Sequence, residues 1–298
     1  IRNLLSGIRD EEKVISILPM SRSLIEEPEG HYLIFATTNG RIKKSRLSDY
    51  VKINRNGKYA LRFADGEDDS LVTVRPATDA DHVLLVSSSG NACRFMPSEE
   101  KTRTDPKSGE VVTTHVVRIQ GRVSQGVSGM KLQKGDRVIG MIVTDDFDTS
   151  VLTISKFGMA KRSRLGSGEM VPLLDENGSQ MLDEKGEGVT QRDGYRRTNR
   201  GTKGVRTMSL RDEDHIVSVR QIPDLDDQLF ILTKTGMMIR MVSGQTKETL
   251  GKVTKGTRIM ELRNPDRTGY DDEIIFVARL PAELVDSSDA DEATFEEE

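Results

Sequence analysis

One supersecondary unit recurs four times along this chain, and each copy carries a basic residue at a fixed offset from a turn glycine. The copies read HYLIFATTNG-RIKKSRL (31–47), DHVLLVSSSG-NACRFMP (81–97), TSVLTISKFG-MAKRSRL (149–165) and DQLFILTKTG-MMIRMVS (227–243). An apolar run leads to Gly40, Gly90, Gly158 or Gly236, and four residues later stands Lys44, Arg94, Arg162 or Arg240. A repeat of this kind constrains the architecture before any single motif does. A positive charge at one place in every copy predicts an arc of charge on one surface, suited to a polyanion rather than to a catalytic pocket.

A second glycine signature follows each basic strand: NGKYALRF (56–63), QGVSGMKL (125–132), TKGVRTMSL (202–210) and TKGTRIMEL (255–262). Leu61, Met130, Met208 and Met260 come four residues after its glycine, and Phe63, Leu132, Leu210 and Leu262 come six after. That i, i+2 spacing predicts a strand with one buried face. An acidic turn and another apolar run close the copy: LVTV (71–74), VIGMIV (138–143), IVSV (216–219) and IIFV (274–277). Two copies carry insertions, near 101–120 and 167–193.

With Trp absent and aromatics at 4%, no large aromatic core can form, so Val, Ile, Leu and Met must fill several small ones. Four short strands per copy then predict an all-β protein, a β-propeller or β-pinwheel of four-stranded blades. A β-solenoid or a chain of separate barrels would need shorter periods or more apolar residues per copy. The expected blades are 31–74, 82–143, 150–219 and 228–277, preceded by a partial one at about 1–20, where DEEKVISI resembles DEDHIVSV (212–219). Together they make one domain, 1–281, and 282–298 is expected to be a disordered acidic tail. Both ends fall inside a repeat and the chain begins with Ile1, which reads as a piece of a longer protein.

No apolar run approaches the ~20 residues of a membrane span, so no membrane partner is expected. The lone Cys93 excludes an internal disulfide and fits a reducing, cytoplasmic setting, as small core filler. His31, His82, His115 and His215 lie far apart without metal-ligand spacing, and no catalytic constellation or phosphate-binding P-loop is present. Neither catalytic nor metal residues nor a bound cofactor are expected.

Net charge is −4, yet the tail 282–298 holds eight acids and no base, leaving a net +4 on 1–281. The bases gather on the Gly-x-x-x-Lys/Arg strand and beyond it. The candidate contacts to a polyanion are Arg41, Lys43, Lys44, Arg46, Lys52, Arg55, Lys58 and Arg62 in the first copy, and Arg94, Arg122 and Lys131 in the second. The third supplies Lys161, Arg162, Arg164, Arg196, Arg197, Arg200, Lys203 and Arg206, and the fourth Arg240, Lys247, Lys252, Lys255 and Arg258. Glycines among them (Gly57, Gly201, Gly204, Gly256) could let backbone N–H groups approach phosphate oxygens. Aromatics are too sparse for stacking single-strand bases, so backbone contact with duplex is the better match. A propeller scaffold for an acidic protein remains a second reading.

HYLIFATTNGRIKKSRLSDY, the following NGKYALRF, and RRTNRGTKGVRTMSL further on resemble the C-terminal domain of the DNA gyrase A subunit, over residues 1 to about 280. The resemblance implies a six-bladed β-pinwheel that wraps double-stranded DNA, of which this chain would hold the last four blades. It implies, as partners, the B subunit and the remainder of the A subunit, in an ATP-dependent type IIA topoisomerase that supercoils DNA. ATP, Mg and the cleavage tyrosine would act elsewhere in that enzyme, and its setting would be the bacterial cytoplasm and nucleoid. The family's QRRGGKG-type box is absent; INRNGKY (53–59) and NRGTKGV (199–205) come nearest. The A subunit of topoisomerase IV, which likewise lacks a strict box, remains the alternative within the resemblance.

Overall fold

The computed structural model describes residues 14–53, 57–104, 106, 109–249, 254–264, 266 and 268–285. Four antiparallel hairpins stand where the repeat places them: Tyr32–Thr37 with Arg41–Arg46, His82–Ser87 with Asn91–Phe95, Ser150–Ser155 with Met159–Arg164, and Gln228–Thr233 with Met238–Val242. Their turn glycines adopt φ of 77°, 81°, 79° and 95°. A hairpin loop that ends in the left-handed region favours glycine there. The register sets Ile34 opposite Lys44, Leu84 opposite Arg94, Leu152 opposite Arg162 and Phe230 opposite Arg240.

The acid-flanked apolar runs form a third strand in each copy: Leu71–Ala77, Val138–Thr144, Ile216–Ile222 and Ile274–Leu280. Each pairs with the first strand of its hairpin. The register slips at one phase in all four, at Ala36/Thr37, Val86/Ser87, Ile154/Ser155 and Leu232/Thr233. A bulge recurring in phase with the turn glycine is a built feature of the repeat, adding local twist next to the turn.

The fourth strand departs from the expected blades. In the first sheet it is Val127–Ser128, and in the third it is Thr257–Arg258. Both belong to the following copy. In the second sheet, Gly204 of the third copy likewise lies against the Ala92 carbonyl. Contiguous blades such as 82–143 are therefore corrected: the second, third and fourth copies each give their second glycine strand to the sheet before it. Three sheets have four strands and the last has three among the described residues. The given strands are two residues long, and residues 57–63 form no strand. The apolar positions behind them behave as the i, i+2 pattern requires, with Met130, Met208 and Met260 buried.

A second regularity links the copies. Arg62 N donates to Ser124 O, Lys131 N to Thr202 O and Ser209 N to Thr254 O, one bond per step between successive glycine segments. The insertions are hairpins, Glu100–Thr104 with Val111–His115 and Met170–Pro172 with Thr190–Arg192.

The chain divides into two compact units, Ile1–Ser87, Ala92–Asp145 and Thr198–Gly204 forming one, and Ser88–Asn91, Asp146–Arg197 and Val205–Glu298 the other. The first is built on Ile34, Ile42, Leu85, Phe95, Met130 and Met141, with Cys93 buried among them. The second is built on Leu152, Ile154, Leu229, Ile231, Ile274 and Val277. Two terminal expectations change. Residues 14–18 of the partial blade form no strand; Leu18 and Met20 instead pack on Leu33, Phe35 and Leu47, and 1–13 lie outside the described residues. At the other end, residues 282–285 are helical and Ala282 N donates to Asp227 Oδ1. The tail as expected thus begins no earlier than 286, and 286–298 lie outside the described residues.

Candidate nucleic-acid interface

The repeated base is not at the surface in the first three copies. Lys44, Arg94 and Arg162 are 2%, 1% and 8% exposed, and Lys43 and Lys161 are buried beside them. Their charges are spent on internal acceptors. Lys44 Nζ donates to Asp79 Oδ1 at 2.8 Å and to Ser98 Oγ at 2.5 Å, and sits 3.6 Å from the Tyr32 ring centroid. Arg162 donates to Thr246 O at 2.8 Å, Ser150 Oγ at 3.1 Å and Glu248 Oε2 at 3.0 Å. Arg94 Nε donates to His82 Nδ1 at 3.3 Å.

Lys43 and Lys161 serve a different purpose. Lys43 Nζ donates to Ala60 O and Arg122 O at 2.7 and 2.6 Å, and Lys161 Nζ to Thr207 O at 2.6 Å. Ala60 and Thr207 each stand three residues past a second glycine, so the lysine ties that segment to its own copy. Burial lowers the Lys43 pKa to about 8, although Asp49 pulls it back up. Burial pushes the Asp79 carboxyl up, but bonds from Lys44 and Ser98 outweigh it and hold the pKa below the ordinary value.

Phosphate contact through Lys43, Lys44, Arg94, Lys161 and Arg162 is therefore corrected. A cation is costly to bury unless carbonyls and carboxylates meet it; Lys43, Lys44, Lys161 and Arg162 are met in this way, while Arg94 turns to His82. The glycines also change role. A side chain at Gly204 or Gly256 would put its Cβ 2.0 or 2.2 Å from the carbonyl of Ala92 or Ala160. They permit close approach of a strand, and at φ of 73° and 75° only glycine is unstrained. Gly201 N donates to Gly129 O, and among the described residues nothing lies within 4 Å of a Cβ on Gly57.

The bases left facing solvent are Arg46, Lys52, Arg62, Lys131, Arg164, Arg196, Arg197, Lys203, Arg206, Arg240, Lys247, Lys255 and Arg258. Arg41, Lys58, Arg122 and Arg200 are half-buried. Arg41 donates to Gln125 O and Arg200 to Val116 O. Arg55 and Lys252 lie outside the described residues. A different phase emerges from this set: Lys203-Gly-x-Arg206 and Lys255-Gly-x-Arg258 flank the second glycine in two successive copies. In the first unit, Lys131 N donates to Thr202 O, which brings Lys131 to the Lys203 segment. Lys101, which the sequence pattern hides within an insertion, donates to Asn199 Oδ1 at 2.7 Å. Its hairpin thereby adds a base to the same segment. In the second unit, Arg206 and Arg192 border a cavity also lined by Arg164 and Asp193, where Asp193 holds Arg164 at 3.3 Å.

Four-stranded antiparallel sheets repeated along the chain, each completed by the next copy, define a propeller-class β protein. The sequence matches the family described as "DNA gyrase C-terminal domain, beta-propeller" over residues 31–78, 111–145, 189–223 and 227–280. These segments make up more than half of the chain, which belongs to this family. The A subunit of DNA gyrase from Rickettsia prowazekii (strain Madrid E) is 31% identical over 313 residues, covering 97% of this chain and 31% of the relative. Its counterpart from Staphylococcus aureus (strain NCTC 8325 / PS 47) is 28% identical, covering 95% and 26%. The chain thus spans between a quarter and a third of the length of these relatives. In fold it is similar to the C-terminal domain of DNA topoisomerase IV, with a TM-score of 0.67 and 19% identity, covering 95% of this chain and 70% of the other. The DNA gyrase A C-terminal domain gives 0.64 and 19%, covering 94% and 74%.

Proposed function

We propose that this chain binds double-stranded DNA through its exposed bases and wraps it, as part of the A subunit of a DNA gyrase. The observation that carries the reading is the in-phase pair Lys203/Arg206 and Lys255/Arg258, on a chain that belongs to the gyrase C-terminal family. Sparse aromatics favour contact with phosphates over stacking on bases. Neutralised phosphates offset the cost of bending, roughly 1–6 kcal/mol for a 20–30 bp segment. Backbone contact with deformable duplex suffices for wrapping without base readout. In the assembled enzyme, with the B subunit joined to the remainder of the A subunit, the wrap presents a neighbouring segment for strand passage. ATP and Mg act in those other parts, in the bacterial cytoplasm.

The test is the salt dependence of duplex binding. Changing Lys203, Arg206, Lys255 and Arg258 together to Ala lowers affinity for any sequence about equally. The slope of log K against log salt flattens by roughly 0.9 for each phosphate contact removed. An unchanged slope would remove these four from the DNA path, and indifference of the unaltered chain to DNA would favour a scaffold for an acidic protein.

A further inference from the structure

The insertion of the third copy is tied at its neck and above it by backbone contacts. Its two arms cross at glycines: a Cβ on Gly166, Gly168 or Gly194 would stand 2.5, 2.6 or 2.0 Å from the carbonyl oxygen of Asp193, Tyr195 or Leu165. Gly168 N donates to Asp193 O, Asp193 N to Glu169 O and Tyr195 N to Leu165 O across the same neck. Beyond the hairpin Met170–Pro172 with Thr190–Arg192, Leu173 N donates to Val189 O, Val189 N to Met181 O and Met181 N to Leu173 O, a closed cycle. A backbone held in this way fixes its side chains before a ligand arrives, and less ordering cost then falls on binding.

The insertion, the strand Met159–Arg164 and the glycine strand Val205–Arg206 together line a cavity of about 140 Å³. That is several times the roughly 10–15 Å³ that one water requires. Part of the lining is closed from solvent: Lys161, Tyr195 and Thr207 are 2%, 5% and 1% exposed, and the Tyr195 hydroxyl bonds the Thr207 hydroxyl. Val171, which pairs with Gln191 across the hairpin, adds a half-buried apolar side. Arg164, Arg192 and Arg206 line the cavity from exposed positions.

Cations are in excess there. Both lining acids are already committed. Glu248 Oε2 accepts from Arg162 at 3.0 Å, while Asp193 accepts from Ser167 N at 2.7 Å and lies 3.3 Å from Arg164. Arg164 also pairs with Asp148 at 2.7 Å. Arg192 Nη1 donates to Gly168 O at 2.6 Å, a carbonyl that leaves its charge unbalanced. Among the described residues, the Arg206 side chain has no hydrogen-bond or ion-pair partner. Two guanidinium groups without a carboxylate therefore border one partly apolar recess, and a guanidinium fork matches phosphate oxygens two at a time.

We propose that this cavity binds a small phosphate-bearing molecule, with its phosphate on Arg192 and Arg206 and its remainder against Val171 and Tyr195. The excess of cations selects an anion, and the paired forks select a phosphate over a halide. The buried lining selects a small molecule over duplex, whose backbone cannot enter a recess of this size to reach Tyr195.

The experiment is calorimetric titration of the full chain without DNA, at fixed ionic strength. Phenyl phosphate should bind saturably at one site per chain, about tenfold tighter than inorganic phosphate, which has no group to lay on Val171 and Tyr195. Arg206→Gln and Arg192→Gln should each weaken it about tenfold. Lys185→Gln, an exposed position of the insertion that does not line the cavity, should leave it unchanged. Val171→Trp adds bulk to the lining and removes no charge, so it should abolish phenyl phosphate binding and leave duplex affinity as it was. Circular dichroism checks that each variant is folded. Absence of a saturable site, or an affinity unmoved by both arginine changes, overturns the proposal. Binding that survives Val171→Trp overturns it too, as a contact of the open surface. Equal loss of duplex and phenyl phosphate in Val171→Trp would overturn it by giving the recess to the DNA backbone. The titration contains no DNA, so its failure leaves the proposed function standing, and a chain indifferent to duplex leaves the cavity standing.

Discussion

The third and fourth sheets carry the same hairpin motif, Gly-x-x-x-Arg, and treat its arginine in opposite ways. Arg162 is closed in by Thr246, Ser150 and Glu248, and Thr257–Arg258 pairs farther along its strand at Ala160 and Met159. Arg240 lies at the surface, 5.9 Å from the Phe230 ring centroid, bonded to Gln228. The two residues are equivalent in sequence and in register, each opposite an apolar residue of the neighbouring strand. What differs is whether the next copy supplies a strand and a loop. The lesson is that a base recurring in a repeat can be a strut that neighbouring copies share, and lies at the surface where no described segment covers it.

The largest effect should therefore separate these two arginines. Arg162→Ala takes the cation from Glu248 and the guanidinium donor from the Thr246 carbonyl, and should cost about 3 kcal/mol of stability in denaturant unfolding. Arg240→Ala should stay within about 0.5 kcal/mol. Equal losses would mean that the covering strand does not set the role of the base.

The turn glycines give a somewhat smaller contrast. Ala at Gly236 meets open space and suffers only the left-handed backbone penalty, about 1–2 kcal/mol. Ala at Gly158 suffers the same penalty and also drives its Cβ to 2.6 Å from the Met260 carbonyl, so it should unfold at clearly lower denaturant. Matching midpoints for the two variants would break the comparison.

Titration of Lys43 sharpens it further. The folded pKa is about 8 against an ordinary 10.5, so between these values the unfolded chain holds the proton more often. Unfolding free energy then rises with pH across that window, by at most about 1.4 kcal/mol per unit, and is flat with respect to this group below pH 8. The rise should vanish in Lys43→Met, read as the difference between the two chains. A smaller change still is expected in DNA binding by Arg240→Ala, a flattening of the salt slope by roughly 0.9 if this base holds one phosphate. The corresponding slope for Arg162→Ala should be unchanged at temperatures where that variant stays folded.

Much of the fold could be read from the residues. Turn glycines, apolar runs and the i, i+2 methionines each report a local rule of backbone or burial, and all four hairpins stand where those rules put them. Blade boundaries could not be read this way. Val127–Ser128 follows its own copy in sequence, and nothing in the string VS says which sheet it will join. The same limit misled the choice of site. Lys44 and Lys203 are both lysines near a glycine in a strand-turn context, yet one is buried on Asp79 and the other faces solvent. Lys101 is not legible in the sequence because a hairpin inserted into a repeat has no phase to reveal its neighbour Asn199.

Periodic apolar and glycine positions thus established the class, the number of hairpins and the place of their turns, because alternation and left-handed turns act over a few residues. Which strand completes which sheet, and which bases are struts, was settled by contacts between copies some fifty to a hundred residues apart, such as Ile42 with Val127 and Arg162 with Glu248. A charge is buried or exposed according to what covers it, and the covering segment here comes from the next repeat.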